Sequence, residues 1–246
     1  MTLQISRTDD GIVTLTFKRP HARNALNWAM QEAFLETMRQ LADDASLRAL
    51  IITGAGDKAF CAGGDLLELA NFPRVEDGER LARIMGDALN LLEDAPFPSI
   101  AAINGHAMGG GCEIALACDL RIIDSSAKFG LVQLSLGLTP GWGAGQRLLR
   151  LLGYNRALHI LLMAQPVTAA DALSLGLVNQ VADEGSAYDE ALAFARHIAG
   201  WDRDAVAAVK RILREASPEA ERAAFPPLWA ADAHLKAAEK FLQDRS

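Results

Sequence analysis

The sequence lacks any apolar run near the ~18 residues that a membrane span requires. Its first residues, MTLQISRTDDGIV, show no charged start followed by an apolar stretch, so no secretory signal and no membrane partner is expected. It is also poor in positive charge. With 24 Lys and Arg against 31 Asp and Glu, the net charge is −7. Nucleic-acid binding needs clustered cations, so that partner class is excluded. Cysteine is sparse: Cys61, Cys112 and Cys118 are the three in the chain, and none stands at metal-ligand spacing from another Cys or a His. A disulfide framework and a structural zinc are therefore not expected, and free thiols point to a reducing, cytoplasmic setting. Internal repeats, low-complexity tracts and disordered linkers are missing too.

What is present is apolar material for a core, 50% of 246 residues, arranged as alternating strands and helices. IVTLTFK (12–18) alternates, with Val13, Leu15 and Phe17 on a buried face and Thr14, Thr16 and Lys18 opposite, and predicts a half-buried strand. Asn27 is the expected N-cap of a helix carrying Phe34, Met38 and Leu41 at helical spacing. LRALIIT (47–53) and SIAAIN (99–104) read as strands buried on both faces, and residues 119–123 and 177–181 as further strands. Residues 79–93 read as a helix broken by Pro96 and Pro98. GAGDKAFCAGG (54–64) and GLTPGWGAG (137–145) read as glycine-rich loops, with Asp65 capping a short helix. The last fifty residues are amphipathic helices, interrupted near Pro218 and at Pro226–Pro227. The whole predicts α/β layers with mostly parallel pairing.

Two segments share a layout: a strand leads through a loop into glycines and then into a short helix. They are LRALIIT…FCAGGDLLEL and SIAAINGHAMGGGCEIAL. A glycine turn at a helix N-terminus leaves backbone N–H groups unpaired. Such groups can bind phosphate, or hold an oxyanion that develops during a reaction. Each turn taken alone reads first as a plain tight turn or close-packing point, and neither has the G-x-G-x-x-G spacing of a dinucleotide site. Glu113 falls in the first turn of the second helix. It either complements the helix dipole or serves as an acid or base.

Six segments together resemble the crotonase superfamily, the enoyl-CoA hydratase/isomerase family. They are RNALN (23–27), KAFCAGGDLLEL (58–69), INGHAMGGGCEIALACDLRI (103–122), FG (129–130), LGLTPGWGAGQRL (136–148) and ADALSLGLVNQV (170–181). The resemblance implies an α/β fold: a crotonase-like ββα spiral core over residues 1–195, binding acyl-CoA, and a helical trimerisation region over 196–246. It implies a homotrimer or a dimer of trimers. It implies an acyl-coenzyme A thioester substrate, with no metal and no cofactor beyond the coenzyme A of the substrate itself. By position in the family, Gly64 and Gly110 supply the two N–H groups of an oxyanion hole that stabilises an enolate. Arg23, Ala25, Ala62 and Asp65 fall at the coenzyme A site, and Phe241 and Arg245 where family members help to close it.

The resemblance also exposes a departure. Hydratases of the family hold the attacking water between two glutamates. The first corresponds to Glu113, but the second, twenty residues on, corresponds to Gln133. Gly141, whose N–H helps to position the water, is kept. An amide orients a water or a carbonyl but donates no acidic proton. Three readings follow: a hydratase/isomerase-type enzyme with Glu113 as its single acid/base carboxylate; a decarboxylase of a substituted malonyl-CoA; and a catalytically weak thioester-binding protein. Trp142 in PGWG resembles decarboxylase-like members, and its alternative role is packing. His21 and His106 are alternative acids or ordinary surface histidines.

Overall fold

A computed structural model describes residues 2–244. Strand β1 (Leu3–Arg7) runs antiparallel to β2 (Ile12–Phe17). Asn27 then caps helix α1 (Trp28–Ala42), its side chain accepting from the Met30 N–H at 3.1 Å. Strands β3 (Ala49–Gly54) and β4 (Ala59–Cys61) lead to the short α2 (Leu66–Leu69) and the long α3 (Val75–Asp94). Strands β5 (Ser99–Ile103) and β6 (His106–Met108) lead to α4 (Gly110–Ala117), and β7 (Leu120–Asp124) and β8 (Lys128–Gly130) follow. A 3₁₀ turn at Gln133–Leu136 precedes α5 (Ala144–Leu152) and α6 (Tyr154–Met163). After β9 (Val167–Thr168), α7 (Ala169–Ser174) and β10 (Gln180–Ala182), the chain ends in α8 (Ala187–Ala199), α9 (Arg203–Glu215), α10 (Pro218–Trp229) and α11 (Asp232–Gln243).

From β3 to β8 successive strands alternate between two sheets. Among the described residues the larger has the order β1-β2-β3-β5-β7-β10 and the smaller β4-β6-β8-β9. Pairing is parallel except at β1–β2 and β8–β9. The pairs β3–β4, β5–β6 and β7–β8 thus each give one strand to each sheet before helical structure returns the chain, which is the repeated ββα pattern of the crotonase-like spiral. The central strands β3 and β5 are buried throughout, as their unbroken apolar sequences require.

Strand β2 departs from the half-buried reading. Val13, Leu15 and Phe17 enter the main core with α1 and α3, but Ile12 and Thr14 are buried as well. Their face is covered by α8, whose Ala187, Ala191 and Ala195 lie against Ile12, Ile51, Ile100 and Ile122. Alanines at every fourth position give that helix a flat face, which allows close approach. Tyr188 of α8 meets Thr14, hydroxyl to hydroxyl, at 3.2 Å. A covering helix so distant in sequence leaves no trace in the local alternation. Residue 195, the expected end of the core region, lies inside α8.

Other expectations also shift. The glycine-rich segment 54–64 contains β4, and the turn before GGG contains β6; both strands are only three residues long. The helix expected at 79–93 begins at Val75, and the strand expected at 177–181 lies at Gln180–Ala182. Pro226 and Pro227 do not interrupt a helix. They lie inside α10, which packs on α9 and continues to Trp229. Proline's fixed φ suits a helix, and its cost is the lost N–H and a clash one turn back. Tertiary packing of α10 outweighs that cost. Lys210 anchors α9 to the core, donating to Asp119 Oδ2 at 2.8 Å and Phe97 O at 3.0 Å.

Candidate active site

Strands β4 and β6 are parallel neighbours, so the glycine turns that follow them leave the small sheet side by side. Their contact is too close for any side chain. A Cβ at Gly63, where φ is +89°, would fall 2.7 Å from the Gly110 nitrogen, and one at Gly111 would fall 2.0 Å from Cys61 O. Glycine is therefore required where the two turns meet. The first turn is pinned by the Leu26 N–H to Gly63 O at 2.8 Å and the Asp65 N–H to Leu26 O at 2.9 Å. These bonds flank Gly64 and leave its N–H outside the pairing. Gly110 opens α4, where an N–H has no carbonyl four residues back within the helix. The two turns singled out in the sequence are thus brought together.

Glu113 is almost wholly buried, 2% exposed, yet its carboxylate accepts four hydrogen bonds. Oε1 receives Gln133 Nε2 at 3.0 Å and the Gly141 N–H at 3.3 Å. Oε2 receives the Trp142 N–H at 2.8 Å and the Ala144 N–H at 3.1 Å. Ala144 is the first residue of α5, so that helix aims its N-terminus at the carboxylate. Burial pushes the Glu113 carboxyl above its usual range, while the four donors pull it back only in part. A carboxyl raised in this way keeps its proton to higher pH than a surface glutamate does, which suits an acid or base.

Gln133 lies beside Glu113, at the position the family register gives it. Its Nε2 is committed to Glu113, and its buried Oε1 has no partner among the described residues. An orphaned buried acceptor costs free energy on the order of 1–3 kcal/mol, and it suits a donor such as a water or hydroxyl group. Gly141 points its N–H at the carboxylate itself.

The turn that carries these donors is fixed from behind. Buried Arg147 donates from Nη1 to Trp142 O at 2.9 Å, from Nε to Glu93 Oε2 at 2.9 Å and from Nη2 to Asn90 Oδ1 at 3.0 Å. Gly143 has φ +100°, and a Cβ there would fall 2.3 Å from Arg147 Nη1. Sequence reasoning missed Ala144, Arg147, Glu93 and Asn90. The available signal was a helix start directly after PGWG, which predicts free N–H groups but not their target.

The residues expected at the coenzyme A site also gather. Arg23 and Asn24 have left-handed backbones, φ +52° and +57°. Buried Asn24 holds this turn, donating to Ala59 O at 2.7 Å and Ala55 O at 3.0 Å. The Ala62 N–H donates to Arg23 O at 3.1 Å, which places Arg23, Ala25 and Ala62 against the first glycine turn. The Arg23 side chain is exposed and Ala25 is buried. Asp65 caps α2 and pairs with Arg19 Nη1 at 2.8 Å. Burial pushes its carboxyl up, but Arg19 and the α2 amides outweigh that and hold it below the usual carboxylate range.

His106 accepts from the Lys128 N–H through Nδ1 at 3.2 Å, and His21 is exposed. Phe241 lies on α11, and Arg245 is outside the described residues. Among the described residues no group of three or more His, Cys, Asp or Glu side chains could hold a metal ion, and no helix is long and apolar enough to cross a membrane. Burial pushes the Cys61 and Cys118 thiols up to about 12.

Comparison with known proteins agrees with this geometry. A family model described as enoyl-CoA hydratase/isomerase matches residues 7–229. The chain is 39% identical over 187 residues to a short-chain-enoyl-CoA hydratase of Clostridium acetobutylicum, covering 76% of this chain and 71% of the relative. It is 35% identical to the 2,3-dehydroadipyl-CoA hydratase of Escherichia coli, over 96% of this chain and 93% of that protein. The crystal structure of an enoyl-CoA hydratase from Bacillus anthracis superposes with a TM-score of 0.94 at 31% identity, covering 99% of this chain and 97% of that one.

Proposed function

Since the chain belongs to the enoyl-CoA hydratase/isomerase family, whose enzymes act on coenzyme A thioesters, we propose that it is a hydratase-type lyase in which Glu113 is the single acid/base carboxylate. The observation that carries this reading is the pairing of Glu113, held by four donors, with the unpartnered Oε1 of Gln133. That pair offers a base and an adjacent acceptor, which together can orient one water.

In the proposed reaction the thioester oxygen sits between the N–H groups of Gly64 and Gly110. Gln133 Oε1 accepts one hydrogen of the water, and Glu113 takes the other as the oxygen bonds to the β-carbon. Electrons from the double bond move onto the thioester oxygen as an enolate. Glu113 then returns the proton to the α-carbon, and the sum is one enoyl thioester plus one water to one 3-hydroxyacyl thioester. Each oxyanion donor of this kind contributes about 3–4 kcal/mol to the transition state. Gly141 and Trp142 act through Glu113, by fixing its carboxylate with their N–H groups.

On the coenzyme A side, Arg23 offers an exposed guanidinium to phosphate, and Ala25 and Ala62 offer backbone edges. Asp65 contributes by fixing, with Arg19, the turn that carries Gly64. The helical region 196–246 exposes Val209, Leu213, Phe225 and Trp229. We assign it to self-association as a trimer or dimer of trimers. The three buried free thiols support a reducing, cytoplasmic setting.

Assays with crotonyl-CoA, methylmalonyl-CoA and ethylmalonyl-CoA test the reading. Hydration of crotonyl-CoA is the expected result. Release of CO2 from a malonyl thioester without hydration would replace it with decarboxylation, and tight binding without turnover would replace it with a thioester-binding role. The named relatives act on different acyl groups, so the acyl preference must come from residues of this chain.

A further inference from the structure

Trp142 has a side-chain position that its backbone role does not explain. Its N–H is held by Glu113 Oε2 and its carbonyl by Arg147 Nη1, so the residue is fixed from both sides. The buried indole lies on the glycine turns. A Cβ built on Gly110 would fall 2.1 Å from Cζ3, 2.4 Å from Cη2 and 2.8 Å from Cε3, and one built on Gly64 would fall 3.9 Å from Cζ2. The six-membered ring therefore reaches from one candidate oxyanion donor to the other. Leu69 Cδ1 closes on the same side of Gly64, 2.7 Å from the Cβ position.

A thioester whose oxygen is held by Gly64 and Gly110 must direct its acyl carbons toward Glu113, and Trp142 joins the two ends of that path, with its ring against both glycines and its N–H on Glu113 Oε2. We infer that Trp142 is the residue that sets acyl length, restricting the enzyme to short-chain acyl-CoA. A longer chain requires the ring to leave two glycines and a buried setting, while its backbone stays pinned to Glu113 and Arg147. The inference rests on the acyl-CoA reading of the site, but not on the particular reaction.

The test compares wild type, W142F and W142A. Dissociation constants are measured for butyryl-CoA and octanoyl-CoA, and kcat/KM for crotonyl-CoA and 2-octenoyl-CoA. Wild type should favour the four-carbon thioester. W142A should move the four-to-eight-carbon ratio by at least about tenfold toward the longer chain, the low end of what one methylene is worth in an apolar pocket; W142F should fall between. A purely structural role would depress both substrates together, so an unchanged ratio in W142A, whatever its activity, overturns the inference. A wild type that prefers octanoyl-CoA overturns it too. If W142A does not fold, W142F carries the same ratio test, and an unchanged ratio there has the same meaning. Absence of turnover with either enoyl thioester in wild type would count against the hydratase reading alone, because the binding ratio still reports on Trp142.

Discussion

Replacing Gln133 with glutamate places a second carboxyl where an amide now stands 3.0 Å from Glu113 Oε1. Both positions are buried, at 2% and 9% exposure. Two charges at about 4 Å interact by about 4 kcal/mol at an effective dielectric of 20, which corresponds to about three pKa units. The pair in Q133E should therefore hold one shared proton at neutral pH, as close carboxylates do. The new O–H can donate to Glu113 in place of the amide, and the Gly141, Trp142 and Ala144 donors are untouched, so the site should keep its shape. What changes is the supply of an acidic proton. General acid–base catalysis is worth roughly 10²–10⁴-fold, and Glu113 already does part of the work, so kcat for crotonyl-CoA hydration should rise on the order of 10²-fold. The assay follows loss of the conjugated enoyl thioester absorbance, with butyryl-CoA affinity measured alongside. The pH profile should gain a basic limb where the shared proton is lost. A folded Q133E with normal thioester affinity and unchanged kcat would show that the missing acid does not limit the reaction.

Other outcomes follow from the same geometry. Gly110→Ala should abolish activity, because its methyl meets the Trp142 ring; adding Trp142→Ala should recover part of the lost stability, and additive losses in a double-mutant cycle would argue against that contact. Burial holds Glu113 above the usual range, and a group raised on folding contributes stability below its unfolded pKa and loses it as pH rises through the folded one. Wild type should therefore lose stability relative to E113Q as pH rises from about 4; a gap in Tm that stays constant with pH would remove the shift. The native protein should resist iodoacetamide at Cys61, Cys112 and Cys118, since burial raises all three thiols, and rapid labelling before unfolding would show that one of them is accessible.

The parts of the fold legible in the sequence are those whose signals are local. Asn27 stands before a helical repeat, and β3 and β5 are continuous apolar runs. The glycine turns announce free N–H groups, and the family resemblance places Glu113 and Gln133 twenty residues apart, where the structure finds them hydrogen-bonded. The missing parts depend on distant partners. Strands β4 and β6 are too short to show a period, yet their pairing is what brings Gly63 against Gly110. The second buried face of β2 is created by α8. The target of the Gly141, Trp142 and Ala144 N–H groups is invisible until α4 and α5 are placed together. Arg147 carries no local signal of its role, which shows only once the turn it supports, and the Glu93 that accepts from it, are seen.

The proton-transfer role of Glu113 is decided by turnover of crotonyl-CoA in E113Q, measured with the affinity for butyryl-CoA. The substituted side chain can present its oxygen to the Trp142 and Ala144 N–H groups and its nitrogen to a turned Gln133 amide, losing only the longest of the four bonds, the 3.3 Å contact from the Gly141 N–H, so the pocket should persist. The account predicts that kcat falls by at least about 10²-fold while butyryl-CoA affinity stays near that of wild type. An E113Q enzyme that hydrates crotonyl-CoA at the wild-type rate would contradict it.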